Sequence, residues 1–275
     1  MIRASVLEFI RRRCGYRFPR LGRAAYESVF RIAPHRVRTE LVRGICADLD
    51  LTDEVQRATY WQGERFEQPT LDVLQQWASD GATRFFDIGS NYGFFTFALL
   101  SRHPKLLAEA FEPNPATFQH LSAIVTENGL ESARLWNIGL SDQSAALPFH
   151  RGETDSGHST FGNHPELSAT EVLEVKDFET WRSQANLPLP SPGNWIAKID
   201  VEGFEMRVLA GLRHAFEKRA FRGIAVEINH FTLGFCGSTA EEIYGYMEAL
   251  GFEALTKTSS ERKQPFTGNE FFALR

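Results

Sequence analysis

The sequence predicts an α/β fold, a doubly wound and mostly parallel sheet of seven strands preceded by a mainly helical N-terminal extension. Three observations predict it. From residue 84 onward, short apolar runs alternate with helical patterns, as expected of strands covered on both faces by helices. The first such run ends in a glycine turn, Asp87-Ile88-Gly89-Ser90-Asn91-Tyr92-Gly93, that opens an apolar helix. Acidic side chains then end successive strands at Asp87, Glu112, Asp200 and Glu227, on the edge where open α/β sheets bind ligands.

The elements follow in order. Residues 1–80 form a helical lead-in, within which Ile45, Ala47, Leu49 and Leu51 alternate as a strand would. Residues 81–275 carry the sheet. The first strand is 84–88, and the helix at 92–102 is apolar enough (Phe94, Phe95, Phe97, Leu99, Leu100) to be largely buried. A strand at 109–112, a helix at 117–128 and a strand at 134–138 come next. Strands at 195–201 and 222–228 flank a helix with Phe204, Val208, Leu209 and Leu212 on one face. Ser238 and Glu241 have the spacing of a capping box ahead of Ile243, Met247 and Leu250. The last strands, 252–258 and 270–274, pair as an antiparallel hairpin at the sheet edge and raise the count to seven. Residues 141–193 interrupt the pattern with Gly, Ser, His and Pro around a strand-like Val172, Leu173 and Val175, and a long insertion of this kind is expected to serve function.

Composition narrows the class. The 275 residues, 43% hydrophobic, suffice for one sizeable core, and a net charge of −5 offers nucleic acid no general attraction. The charge is uneven. Residues 1–43 hold eleven arginines, no lysine and three glutamates, about +8, which leaves about −13 on the rest. That start is a solvated helical face or a contact for an anionic membrane surface, an anionic substrate or an acidic partner, a second copy of the chain included. It is not a secretory signal, because Arg11, Arg12 and Arg13 interrupt the apolar stretch, and no window approaches a membrane span. Cys14, Cys46 and Cys236 are scattered and odd in number, which fits a reducing cytoplasm.

The motifs point to a cationic, ribose-bearing ligand. Gly89 and Gly93 permit positive φ and a close backbone approach, but their spacing is not the Gly-x-Gly-x-x-Gly that cradles a pyrophosphate. Asp87 can accept from an amine. Glu112, in Phe111-Glu112-Pro113-Asn114, lies 23 residues after Gly89, near where an acid holds a ribose diol. Asn137 and Asp142 follow the third strand, where an adenine edge would fall. Lys198-Ile199-Asp200-Val201-Glu202-Gly203-Phe204-Glu205 then places several carboxylates at the fourth strand's end, with Lys198 on the same face as Asp200 and Glu202.

These motifs resemble the FkbM family of class I S-adenosylmethionine-dependent methyltransferases, which have a Rossmann-like sheet. The resemblance runs over roughly residues 50–275. It includes the lead-in segments Ala47-Asp48-Leu49-Asp50-Leu51 and Trp61-Gln62-Gly63-Glu64-Arg65-Phe66-Glu67 and the final Asn269-Glu270-Phe271-Phe272. It implies S-adenosylmethionine as donor and S-adenosylhomocysteine as product. The methyl group would go to a hydroxyl of a sugar, a glycolipid or oligosaccharide head, or a polyketide. On this reading Asp87, Gly89, Ser90, Asn91, Gly93, Glu112, Pro113, Asn137 and Asp142 hold the donor. Asp200 and Glu202 organise the acceptor, Glu227 is a third acid, and His158 or His230 is a candidate base. Asp200 and Glu227 could instead hold a divalent metal. Tyr60, Trp61, Phe161 and Trp195 are candidates for stacking on a sugar face, with core packing the alternative. Methylation of nitrogen or carboxylate, and an inactive nucleotide-binding scaffold, are the competing functions.

Overall fold

The computed structural model describes residues 35–152, 156–163, 169–256 and 267–275, together with Leu7, Phe9, Arg11 and Leu167. The strands are β1 (Arg36–Val42), β2 (Ile45–Asp50), β3 (Arg84–Ile88), β4 (Leu107–Phe111), β5 (Ala133–Trp136) and β6 (Gly139–Ser141). They continue with β7 (Ala145–His150), β8 (Ala169–Asp177), β9 (Trp195–Ile199), β10 (Phe221–Asn229), β11 (Phe252–Ala254) and β12 (Thr267–Leu274). The helices are α1 (Glu54–Gln62), α2 (Gln68–Ser79), α3 (Phe94–Leu100), α4 (Pro115–Glu127), α5 (Phe178–Gln184), α6 (Glu205–Gly211), α7 (Arg213–Glu217), α8 (His230–Phe235) and α9 (Ala240–Ala249).

The central sheet has the order β11-β12-β10-β9-β3-β4-β5, with β12 antiparallel to both neighbours and the other pairings parallel. This is the seven-stranded, Rossmann-like sheet the sequence predicts. The edge hairpin is present, with its second strand on the inner side. Residues 257–258 of the predicted strand lie outside the described residues.

Strand alternation sends Phe85, Ala108, Ala110, Ile196 and Ala225 to one face and Phe86, Phe111, Ala197, Ile199 and Val226 to the other, where each set joins a separate buried cluster. All five residues of β9 are buried, as a central parallel strand covered on both sides requires. The lead-in shares the first cluster: Leu49, Leu51, Tyr60, Trp61, Leu71 and Leu74 pack with Phe97 and Leu99.

Several expectations need correction. Among its described residues the lead-in carries α1 and α2, and an antiparallel pair, β1 with β2, precedes them. The strand periodicity of 45–51 was legible, but β1, whose burial alternates equally well, was not. Tyr60, Trp61 and Trp195 are at most 2% exposed and belong to the core. The insertion is partly core as well. It folds into a small sheet of order β6-β8-β7, and α5 drives Phe178 and Trp181 into an aromatic cluster with Phe86, Trp195 and Phe221. The capping box of α9 is formed by Thr239 and Glu242, one residue later than Ser238 and Glu241.

Most of the arginine-rich start lies outside the described residues. Arg11 is buried, donating to the Tyr60 and Glu40 carbonyls and the Thr39 hydroxyl, with its guanidinium over the Tyr60 ring. Among the described residues, no helix is long and apolar enough to cross a membrane.

Candidate functional site

The carboxyl ends of β3, β4, β9 and β10 open onto one cavity. Asp87, Gly89, Ser90, Asn91, Glu112, Pro113, Asp200, Glu202 and Glu227 all line it. Strand pairing explains their convergence, since Asp87 is in register with Lys198 and Ile88 with Phe111.

At the β3 and β4 tips, both acids are held rigidly. Asp87 is 1% exposed, and its Oδ2 accepts from Thr96 N (3.1 Å) and Thr96 Oγ1 (2.7 Å) at the start of α3. Burial pushes its pKa up to about 6, against the opposing pull of the Thr96 bonds and Lys198. Glu112 accepts from Asn114 N (2.8 Å) on Oε1 and Asn91 N (2.9 Å) on Oε2. Burial pushes its pKa up to about 7. Asn91 donates to Ser156 Oγ at 2.9 Å, while its buried Oδ1 has no donor.

The two glycines are required for a reason other than ligand approach. A Cβ on Gly89 (φ +79°) would lie 1.8 Å from the Asp200 carbonyl oxygen, because Asp200 N donates to Ile88 O beside it. A Cβ on Gly93 (φ +95°) would meet Leu121 at 2.5 Å and Phe97 at 2.7 Å, and Gly93 is not in the cavity wall. Tight strand and helix packing therefore selects both.

Asn137 and Asp142 are not brought to the cavity wall. Strand β5 ends at Trp136, and Asn137 turns back to donate to the carbonyls of Glu112 (2.8 Å) and Pro113 (3.0 Å). Asp142 lies past β6 and pairs with Arg207 at 2.9 Å. Gly139 and Leu140 line the cavity in their place.

The β9 and β10 tips carry a coupled charge cluster. Lys198, 1% exposed, places Nζ 2.9 Å from Asp200 Oδ2 and 5.7 Å from the Phe95 ring centre. Burial works to lower its pKa, but the charges of Asp200 and Glu227 hold it above the ordinary lysine value. Burial opposes ionisation of Asp200, yet the Lys198 charge and hydrogen bonds from Glu227 and Lys198 keep it below the usual carboxylate range. Glu227 is the counterpart. The Asp200 charge, burial and Glu202 push its pKa well up. Its Oε2 is buried with no donor among the described residues.

Glu202 sits at φ +51°, and Thr160 from the insertion donates to its carbonyl at 2.7 Å. Glu205 accepts from Val201 N (3.2 Å) and Gly203 N (3.1 Å) on Oε1, bracing the loop that presents Glu202. Asp200, Glu202 and Glu227 each offer an oxygen within 4.8 Å of the others, a spacing that fits a divalent cation.

His158 ends a short 3-10 turn, Ser156–His158, and its side chain lies outside the described residues. His230 starts α8 away from the cavity wall. Of the four aromatics considered for stacking, only Phe161 lines the cavity.

Three wall residues carry no sequence signal for a role. Phe66 and Glu67 come from the turn before α2, and Asn269 comes from β12, opposite Glu227. All three fall in segments that the family resemblance covers without assigning them work. Glu67, Asn91 and Glu202 line the cavity and are three of the five non-glycine residues with positive φ among the described residues, a concentration of backbone strain typical of ligand sites.

The chain is similar to known methyltransferases. The family model of the methyltransferase FkbM domain matches residues 87–254. Methyltransferase 1 of Beauveria bassiana is 30% identical over 142 residues, 46% of this chain and 57% of its own length. Hexuronic acid methyltransferase AglP of Haloferax volcanii is 30% identical over 168 residues, 60% of this chain and 63% of its own. Both matches therefore span less than two thirds of the relative. The solved magnesium protoporphyrin IX methyltransferase of Synechocystis PCC 6803, with bound SAM, superposes with a TM-score of 0.42 at 12% identity, covering 81% of this chain and 84% of that one. The matched residues begin at Asp87 and take in every acid of the cavity except Glu67, and on that match the chain belongs to the methyltransferase FkbM domain family.

Proposed function

We propose that this chain is an S-adenosylmethionine-dependent O-methyltransferase whose acceptor is a hydroxyl of a sugar-type molecule. The observation that carries the proposal is one cavity with two unlike ends, an acid at each of the β3 and β4 tips and a lysine-braced acid cluster at the β9 and β10 tips. The name of the haloarchaeal relative supports a glycan-type acceptor.

The residues at the first end fit the donor. Glu112 uses one lone pair of each oxygen on a backbone N–H and keeps the others for a ribose diol. Asp87 binds Thr96 through Oδ2 alone and presents a negative charge to an amino group, and Asn91 Oδ1 needs a donor. When bound, S-adenosylmethionine supplies a methyl group made electrophilic by its sulfonium.

The second end manages the acceptor's proton. An alcohol attacks poorly until its proton leaves, and a base serves best when its pKa lies near the working pH. Glu227, raised by Asp200 and by burial, is that base in its ionised form. Lys198 holds Asp200 ionised, and Asp200 orients Glu227. This assigns the base to a carboxylate in place of His230, which the cavity does not include.

A divalent metal fits Asp200, Glu202 and Glu227 by distance, but it would compete with the buried Lys198 ammonium for Asp200. Lys198 already supplies the countercharge at 2.9 Å, and an ion would have to enter beside that buried ammonium. Activity is accordingly expected to survive chelation.

The test is transfer of labelled methyl from S-adenosylmethionine to hydroxylated acceptors, with and without EDTA. Label on oxygen, insensitive to EDTA, is the expected result. Label on nitrogen or carboxylate would assign one competing function, and donor binding without turnover across the panel would assign the scaffold.

A further inference from the structure

We infer that Glu67, Asn269 and Glu227 form an acceptor-selecting wall that accepts only hydrogen-bond donors, so the acceptor group in the cavity is a neutral polyhydroxyl sugar and not a uronate or a phosphorylated sugar. The inference rests on the methyl-transfer reading and names the substrate class within it.

Three observations converge. First, the wall is short of donors. Asn269 Nδ2 donates to Glu67 Oε2 at 2.9 Å, which fixes the orientation of the amide and turns Oδ1 the other way. That Oδ1 and Glu227 Oε2 are both buried without a hydrogen-bond partner among the described residues. The two residues are register partners across the β10–β12 pair, and both line the cavity. Buried acceptors without donors are costly, and a ligand bearing adjacent hydroxyls removes that cost.

Second, the described residues give the cavity no cation to spare for an anion. Among the described lining residues the carboxylates are Glu67, Asp87, Glu112, Asp200, Glu202 and Glu227, and the only basic side chain is Lys198. Its Nζ is spent on Asp200 Oδ2 at 2.9 Å and the Ile199 carbonyl at 3.3 Å. A carboxylate or phosphate entering here would meet like charge with no partner.

Third, the wall is built at a local cost. Glu67 is held at φ +50°, ψ +34°, a left-handed conformation unfavourable for a glutamate, with Thr70 Oγ1 at 3.3 Å as a further tie. That conformation places a carboxylate from the lead-in in the cavity wall, opposite Asn269 of the last strand.

The test uses the full chain and four acceptors of one scaffold: p-nitrophenyl β-glucoside, its 2-amino-2-deoxy analogue, the glucuronide and the glucuronamide. Labelled methyl transfer gives kcat/KM, and calorimetry with S-adenosylhomocysteine reports the donor end separately. The expected result is transfer to the glucoside and glucuronamide at least about tenfold more efficient than to the glucuronide, through KM. Glu67→Gln keeps the bond from Asn269 and removes the charge, so it should shrink that ratio severalfold while donor affinity stays constant. A glucuronide used as well as the glucoside, a ratio unmoved by Glu67→Gln, or donor binding without transfer to any of the four would overturn the inference. Absence of donor binding would instead remove the methyl-transfer reading beneath it.

Discussion

The two ends of the cavity differ in how their charges are stabilised. At the β3 and β4 tips each acid is held by neighbouring N–H and O–H groups: Asp87 by Thr96, Glu112 by Asn91 and Asn114. Among the described residues, no cation touches either one through a salt bridge. At the β9 and β10 tips the acids are held by a buried ammonium and a hydrogen bond between Asp200 and Glu227, and their neighbours come from segments far apart in the chain. The first end is preorganised for a ligand that brings its own positive charge. The second is poised to exchange a proton. On the proposed function, one sheet edge would serve binding and chemistry by two different electrostatic devices.

The sharpest way to break the comparison is at the proton-exchanging end. Glu227→Gln should lower kcat by about 10²- to 10⁴-fold, the usual contribution of a general base, with S-adenosylhomocysteine affinity unchanged. In the wild type, kcat should rise with pH through the raised Glu227 titration, and the variant's profile should lose that limb. Loss of donor affinity in the variant would mean that the two ends are not separate.

The next largest effect concerns the seam between them. Gly89→Ala would drive a Cβ into the Asp200 backbone and is expected to cost about 3–5 kcal/mol of stability, read by denaturant unfolding. Gly44→Ala is the control. Its φ of +78° is similar but nothing lies within 4 Å, so only the conformational cost of about 1 kcal/mol remains.

A smaller effect separates the ends by pH. Asp87 and Glu112, raised to about 6 and about 7, keep protons in the ligand-free protein that the donor's ammonium and diol displace. Donor binding should therefore release protons and tighten by at least about tenfold from pH 5.5 to 8. For folding the sign is opposite. A carboxyl whose folded pKa is raised adds stability below the ordinary carboxylate range and loses it as pH climbs through 6 to 7. The ligand-free Tm should fall over that window, and fall less with S-adenosylhomocysteine bound.

The same contrast explains what could be read from the sequence. The donor end is written locally: a strand, a glycine turn and an acid 23 residues later carry Asp87, Asn91 and Glu112 without knowledge of anything distant. Its errors arose where local spacing met tertiary routing, as when Asn137 turned back onto the Glu112 and Pro113 carbonyls and Asp142 left with β6 for a second sheet. The acid cluster was legible as residues, but not as a relay, because the pairing of Lys198, Asp200 and Glu227 depends on β9 and β10 lying side by side. Glu67 and Asn269 are 202 residues apart and carry no mutual periodicity, so their contact exists only in the fold. In the same way, α5 reads as part of a polar insertion until Phe178 and Trp181 are seen against Phe86.

Isothermal titration of S-adenosylhomocysteine into the wild type, Glu112→Gln and Glu227→Gln tests the division of the cavity most directly. One site per chain is expected, weakened about tenfold or more by Glu112→Gln and left intact by Glu227→Gln. No binding to the wild type, or equal weakening by both substitutions, would contradict it.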